Sequence, residues 1–151
     1  MIVVAPAVEG DIPELTALLG GLFAQEREFT PEPERQARGL ALILAAPQTG
    51  RIFVAREGAG IAGMVSLLFT VSTALGAPVC WLEDMVVRPD ARGRGVGGML
   101  IEHAIAFARA EGYARLTLMT DGDNAAARRF YERHGFSRSD MVAMRFAIGR
   151  D

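Results

Sequence analysis

The turn at residues 87–98, VRPDARGRGVGG, is the segment whose residue types best fit a chemical task. Its glycines stand at positions 93, 95, 97 and 98. Glycine lets the backbone approach a ligand closely, and the helix predicted to begin in this turn adds its unpaired first N–H groups. Arg92 and Arg94 add positive charge. The turn therefore predicts a site for linked phosphates such as a pyrophosphate.

Carboxylates near this turn offer proton-transfer chemistry. Glu83 precedes Met85 by two residues in the run WLEDMVV, so alternation along a strand places both side chains on one face, with Asp84 opposite. On the wall of a substrate cleft, Glu83 would accept a proton from an ammonium group directly or through water. The alternative is a surface carboxylate without a catalytic task. Glu26, Glu28 and Glu32 would attract a cationic substrate, or form a solvated acidic loop.

The elements that must position these groups follow from apolar periodicity and turn residues. Strands are predicted at residues 2–5, 51–55, 61–71, 79–87 and 116–120, and closing strand material at 136–148. Helices are predicted at residues 11–26 and 36–46, after the glycine turn, and from 121–124 to 134. The pattern is therefore α/β, with hairpins before the turn and one helix on each side of the next strand.

Composition limits the classes of protein to consider. The chain has 151 residues, half of them apolar, and a formal net charge of −2 with both signs interleaved. One domain is expected, and neither nucleic acid nor a membrane is favoured as partner. The single cysteine, Cys80, and the lack of a signal-like N-terminus favour the cytoplasm. His103 and His134 have no second ligand at metal spacing, so no metal is expected.

The glycine turn allows three interpretations. Gly93, Gly95 and Gly98 match the dinucleotide pattern G-x-G-x-x-G, with Asp121 after the next strand as a candidate ribose ligand. Against this, five residues separate the strand from the first glycine, and too few residues follow Asp121 for a doubly wound sheet. A glycine-rich turn without a ligand is the second interpretation, and an acyl-CoA site is the third.

The third interpretation is supported by a family resemblance. The run RGRGVG at residues 92–97 is similar to the R/Q-x-x-G-x-G/A signature of the GCN5-related N-acetyltransferase (GNAT) superfamily. A strand ending Val-Val-x-Pro precedes it. A second block, Asn124-x-x-Ala127-x-x-Phe130-Tyr131-x-x-x-Gly135-Phe136, resembles the family's other cofactor-side motif. The resemblance implies a mixed, mostly antiparallel sheet flanked by helices, in a single N-acetyltransferase domain over residues 1–151.

The resemblance also implies roles for particular residues. Acetyl-CoA is the implied cosubstrate, and an amine attacks its thioester directly. Tyr131 matches the general acid that protonates the CoA sulfur, whereas the alternative is a buried tyrosine with a backbone partner. Glu83 lies in a Leu-Glu-Asp run that resembles enzymes in which this acid is a proposed base. The implied cofactor-binding residues are Met85, Val86, Val87, Arg92, Gly93, Arg94, Gly95, Val96, Gly97, Gly98, Asn124 and Tyr131.

These observations predict transfer of acetyl from acetyl-CoA to a primary amine, with a small cationic or amino-acid-like acceptor favoured. The alternatives are a protein N-terminal or lysine acetyltransferase, and an acyl-CoA sensor that transfers nothing. The resemblance adds a homodimer as an expectation.

Overall fold

The computed structural model describes residues 1–26 and 28–149. Within them, one five-stranded sheet has the order β1-β2-β3-β4-β5. The strands are β1 Ile2–Pro6, β2 Gly50–Glu57, β3 Gly60–Ser72, β4 Ala77–Val87 and β5 Leu116–Leu118. Neighbours from β1 to β4 are antiparallel, whereas β5 is parallel to β4. This confirms the predicted mixed, mostly antiparallel sheet and excludes the doubly wound parallel sheet of a dinucleotide fold.

Helices cover both faces of the sheet. They are α1 Ile12–Gln25, α2 Pro33–Ala45, α3 Val96–Ala110 and α4 Ala125–Arg133. The apolar stripes of α1 and α2 pack on one face, where Leu15 and Leu40 join a buried cluster with Met64. On the other face, α3 buries Leu100 and Ala104 in a second cluster. Burial of these two apolar layers is the main stabilising term of such a fold.

Most predicted elements are confirmed with shifted ends. The second helix begins at Pro33 instead of residue 36, because proline is well suited to a first helical position. The last helix begins at Ala125 after Asn124, whose Oδ1 accepts a hydrogen bond from the Ala127 N–H at 3.1 Å. Among the described residues, no helix is long and apolar enough to cross a membrane.

The predicted closing strand at 136–148 is wrong, because the described residues after α4 form no regular element. Large apolar side chains alternate along this C-terminal segment, residues 137–149. Val142, Met144, Phe146 and Ile148 are 84–93% exposed. Alternation predicted a strand, but the segment here does not pair with β5, which itself has three residues.

The sheet forks between β4 and β5. Their parallel pairing covers three positions, Cys80 with Leu116, Trp81 with Thr117 and Leu82 with Leu118. β4 continues to Val87, so the backbone of residues 83–87 has an open edge toward α4. This fork, with the glycine turn at the end of β4, positions the candidate site.

Candidate active site

The glycine turn contains two residues that require glycine for their backbone conformation. Gly93 has φ of +77° and Gly95 has φ of +81°, in the left-handed region that side chains disfavour. Gly95 is also the N-cap of α3, and no side chain caps this helix. The first N–H groups of α3 are thus directed out of the helix at its positive end, which is the arrangement that binds phosphate.

Gly97 serves helix packing, and neither Gly97 nor Gly98 has a backbone conformation that requires glycine. A Cβ atom on Gly97 would lie 3.3 Å from Cζ of Phe130 and 3.5 Å from Cε of Met85. A Cβ atom on Gly98 would lie 3.6 Å from Cε1 of His134, which is an ordinary contact. Gly97 therefore lets α4 approach the beginning of α3. The sequence predicted that all four glycines serve the anion; Gly97 also lets Phe130 lie close to the turn.

Arg92 and Arg94 of the turn have different partners. Nε of Arg92 donates to the backbone carbonyl of Val87 at 3.4 Å, which holds Arg92 against the end of β4. Arg94 instead forms an ion pair with Glu57. Both arginines are thus retained at the turn, on either side of Gly93.

A cavity opens at the fork between β4 and β5. Its lining residues are Leu22, Gln25, Glu26, Leu82, Glu83, Asp84, Met85, Met119, Thr120, Asp121, Asn124 and Tyr131. Three elements meet there: the end of α1, the open edge of β4 and the segment between β5 and α4. The cavity therefore brings together Glu83, Met85, Asn124 and Tyr131, which the sequence proposed for one site.

Asp84 also lines the cavity, although the sequence predicted its side chain on the face of β4 opposite Glu83 and Met85. β3 and β4 slip by one residue between Ser66 and Leu67, where Ser66 faces Asp84 and Leu67 faces Leu82. The extra residue, Glu83, forms a bulge that interrupts the alternation of side chains. Ser66 Oγ lies 3.5 Å from Oδ2 of Asp84 and accepts from the Asp84 N–H at 3.1 Å.

The cavity perturbs the ionisation of the groups that line it. Burial raises the pKa of Asp84 to about 7, and the negative charges of Glu83 and Glu26 add to the rise. Burial also raises the pKa of Tyr131 to about 12, with a contribution from Glu26. The pKa of Glu26 is itself raised, first by burial and then by Asp121. Tyr131 is therefore protonated at neutral pH, whereas Asp84 is divided between its two protonation states.

Tyr131 is fixed by aromatic neighbours. Its ring centroid lies 5.2 Å from that of Phe130 and 5.6 Å from that of Phe136, both at steep angles. α4 carries Phe130 and Tyr131, and the cap at Asn124 begins that helix. The second sequence motif thus forms one structural unit that presents a phenol to the cavity.

The remaining predicted groups lie elsewhere. Glu28 is paired with Arg145 and Glu32 with Arg35, so Glu26 is the member of that acidic group that reaches the cavity. His103 packs edge-on against Phe53. The described residues contain no group of three or more His, Cys, Asp or Glu arranged to hold a metal ion. Sequence reasoning did not assign Asp84 or Asp121 to an acceptor site, because their approach to one cavity depends on how β4 and the segment after β5 pack together.

Comparison with known proteins agrees with this geometry. The profile of the Acetyltransferase (GNAT) family matches residues 15–136. "Uncharacterized N-acetyltransferase YhfO" of Bacillus subtilis (strain 168) is 32% identical over 122 residues, which is 80% of this chain and 82% of that protein. "5-NmdU N-acetyltransferase" of Pseudomonas phage PaMx11 is 37% identical over 93 residues, covering 62% of this chain and 61% of that protein.

A solved structure shares the fold over nearly the whole chain. It is described as a possible acetyltransferase from Clostridium difficile 630, with a TM-score of 0.89, 14% identity and 99% coverage of both chains. The family profile and YhfO carry the sequence relationship, and this structure carries the fold. The chain therefore belongs to the GNAT family of acetyl-CoA-dependent N-acetyltransferases.

Proposed function

We propose that this protein transfers the acetyl group of acetyl-CoA to the primary amine of a small cationic or amino-acid-like acceptor. The observation that carries the proposal is the acidic cavity at the fork, beside Tyr131 and next to the glycine turn. The whole chain, residues 1–151, acts as one catalytic domain in this proposal. A positively charged amine enters the cavity, and the cofactor occupies the turn and the open edge of β4.

The backbone at the fork supports the cofactor assignment. The N–H groups from Arg92 to Gly98 suit the pyrophosphate, because Gly93 and Gly95 turn the chain and α3 begins there. Met85, Val86 and Val87 lie on the open edge of β4 and offer N–H and C=O groups to the amides of the pantetheine arm. An N–H near Met85 is also the candidate donor to the thioester oxygen as it becomes negative.

The charge of the cavity supports a cationic acceptor. Four carboxylates line it: Glu26, Glu83, Asp84 and Asp121. The described residues that line the cavity include no arginine to neutralise them. A cleft lined by one sign of charge concentrates ligands of the opposite sign. The phage relative is named for 5-NmdU, and a relative in Streptomyces lavendulae that is 43% identical over 56 residues is named streptothricin acetyltransferase.

The proposed reaction has three proton transfers. An ammonium group first gives a proton to a cavity carboxylate, and the free amine attacks the thioester carbonyl. The bond between carbonyl carbon and sulfur then breaks as the phenol of Tyr131 donates its proton to the departing thiolate. The attacking nitrogen gives its second excess proton to the Tyr131 phenolate, which leaves a neutral amide, free CoA thiol and an intact phenol. Binding both substrates in one orientation supplies a large part of the acceleration. Tyr131 can serve as the donor because its phenol is protonated at neutral pH and lines the same cavity as the carboxylates.

Glu83 is the base predicted from the sequence, and the structure supplies a second candidate. Asp84 has a pKa of about 7, near the value at which a general base is most effective at neutral pH. Two variants distinguish the candidates through pH–rate profiles. If Asp84 is the base, Asp84→Asn abolishes the rise of the rate on the acidic side of the pH–rate profile. In that case Glu83→Gln only moves this rise to lower pH, because it removes a negative charge next to Asp84. If Glu83 is the base, Glu83→Gln abolishes the rise.

The acceptor class is tested by release of free CoA thiol from acetyl-CoA. The panel contains polyamines, amino acids, aminoglycosides and N-terminal peptides, each corrected for hydrolysis without acceptor. Release with a small cationic amine supports the proposal, whereas release with peptides alone supports a protein acetyltransferase. Tyr131→Phe is the matched variant, and it should lower turnover on the order of 100-fold or more while acetyl-CoA affinity is retained. Acetyl-CoA binding without turnover by the unchanged protein would indicate a sensor.

A homodimer is part of the proposal. The alternating apolar side chains of the C-terminal segment are exposed, and monomers seldom leave a contiguous apolar surface in water. Pairing of this segment with the free edge of β5 in a second copy would cover both. The double variant Met144→Ser/Phe146→Ser should sediment as a monomer if the unchanged protein is a dimer. Ser139→Ala serves as the control.

A further inference from the structure

Arg94 of the glycine turn is held by a carboxylate at the hairpin between β2 and β3. Its Nη1 donates to Oε1 of Glu57 at 3.3 Å, and its Nη2 contacts Oε2 of the same side chain. Glu57 is the last residue of β2, at the hairpin that leads into β3. The guanidinium and the carboxylate therefore meet side by side, the geometry in which an arginine is most strongly oriented.

Arg88 shares this carboxylate but has other partners. Its Nη2 lies 3.5 Å from Oε1 of Glu57, while Nε donates to Asp90 and Nη1 to the carbonyl of Ile61 at 3.0 Å. Arg88 is thus anchored to the end of β4 independently of Glu57. Arg94 differs because both of its terminal nitrogens point at Glu57. The orientation of Arg94 is therefore the property that depends on Glu57.

We propose that Glu57 competes with the phosphates of CoA for the guanidinium of Arg94. This inference rests on the proposed cofactor site. Arg94 lies between Gly93 and Gly95, the two residues whose backbone forms the anion-binding turn. The two terminal nitrogens of Arg94 that donate to one carboxylate also suit one phosphate, and they cannot donate to both groups at once. A bound phosphate must consequently displace Glu57 to engage Arg94.

The charge of Glu57 is available for this competition at neutral pH. Its hydrogen bonds with Arg94 lower the pKa of the carboxyl, so Glu57 is ionised. An ionised carboxylate beside the turn also repels a polyanionic ligand. Glu57 thereby weakens cofactor binding in two ways, and it recaptures Arg94 when CoA leaves. In this role Glu57 is a positioning residue, because it acts through Arg94.

The test is a double-mutant cycle for CoA binding by calorimetry, at low ionic strength. Glu57→Gln should tighten binding about two- to fivefold, the range of an exposed ion pair. Arg94→Gln should weaken binding, and Glu57→Gln should then tighten it by a smaller factor in that background, because only the charge repulsion is left. Asp90→Asn removes a negative charge close to the turn without touching Arg94, and its effect should be smaller. Glu57→Asp should restore the affinity of the unchanged protein.

Kinetics separate this role from a structural one. For Glu57→Gln, KM for acetyl-CoA should fall while thermal stability and the single-turnover rate at saturating acetyl-CoA stay unchanged. Equal tightening by Glu57→Gln with and without Arg94, or by Asp90→Asn, would show a general charge effect and overturn the competition. Weaker binding by Glu57→Gln would also overturn it. Failure of the unchanged protein to bind CoA would instead refute the proposed function.

Discussion

Replacement of Asp84 by asparagine should stabilise the protein at alkaline pH and not at acidic pH. Asp84 is mostly buried, and its pKa is about 7 in place of the ordinary 3.8. The folded state therefore binds a proton that the unfolded state releases. The contribution of Asp84 to the free energy of unfolding is therefore most favourable below pH 3.8, and it is lost as pH rises from 3.8 toward 7. Ionising Asp84 in the folded protein costs about 4 kcal/mol by this difference.

The asparagine variant does not titrate, so it avoids this penalty. Its buried NH2 group loses solvation, which costs on the order of 1 kcal/mol at every pH. The free energy of unfolding of Asp84→Asn minus that of the unchanged protein should therefore rise by about 4 kcal/mol between pH 4 and pH 8. Urea unfolding followed by circular dichroism at four or five pH values measures this difference.

The test is the rise of this free-energy difference between pH 4 and pH 8. Its absolute value at any one pH also includes the cost of burying the NH2 group, so it is not used. Asp140→Asn is the control, because Asp140 is exposed in the C-terminal segment. A difference curve for Asp84→Asn as flat as that of the control would refute the buried carboxyl as the cause. The same variant reports on catalysis through the pH–rate profile, so one protein preparation serves both measurements.

Three further variants test other parts of the structure. Gly97→Ala forces the Phe130 ring to move by a few tenths of an ångström, so kcat/KM should fall on the order of three- to tenfold, whereas Gly98→Ala meets ordinary contacts and should retain activity. Asn124→Ala removes the cap of α4 and should lower stability by about 1 kcal/mol, with Asn124→Asp restoring it; unchanged melting would contradict the cap. Asp11 accepts from Arg56 at 3.0 and 2.6 Å, which lowers its pKa, so Asp11→Asn should cost about 1.5–3 kcal/mol at pH 7 in urea unfolding. That loss should shrink as pH falls below 3.8, because the unchanged protein then loses the pair, and a constant loss would count against the ion pair.

Local signals in the sequence predicted most of the fold. Apolar spacing located the stripes of α1 and α3, and Gly95 with the following run located the start of α3. The positive φ angles of Gly93 and Gly95 agree with the predicted turn. The pairing of strands that are distant in the sequence could not be predicted as well. The C-terminal segment has the alternation of a strand, but a strand also needs a partner edge, and no local pattern reports whether one is available.

Four residues that the sequence proposed for one site, Glu83, Met85, Asn124 and Tyr131, line one cavity, and their roles stay predictions. Glu26, which the sequence proposed to attract a cationic substrate, reaches the cavity from the end of α1. The raised pKa of Asp84, next to the bulge opposite Ser66, does not follow from the residue pattern, because burial and strand register are products of the tertiary fold. The partner of Arg94, 37 positions away at Glu57, is likewise a product of the tertiary fold.

The open edge of β4 makes cofactor occupancy visible to hydrogen exchange. Residues 84–87 pair with β3 on one side only, so alternate amide hydrogens face the gap left by β5. In the free protein those amides exchange with solvent, while their β3-facing neighbours are protected. A pantetheine arm that adds to this edge as a strand would slow the gap-facing amides and leave the neighbours unchanged. Alternate protection along these four residues would therefore reveal the orientation of the bound arm without a probe attached to either molecule.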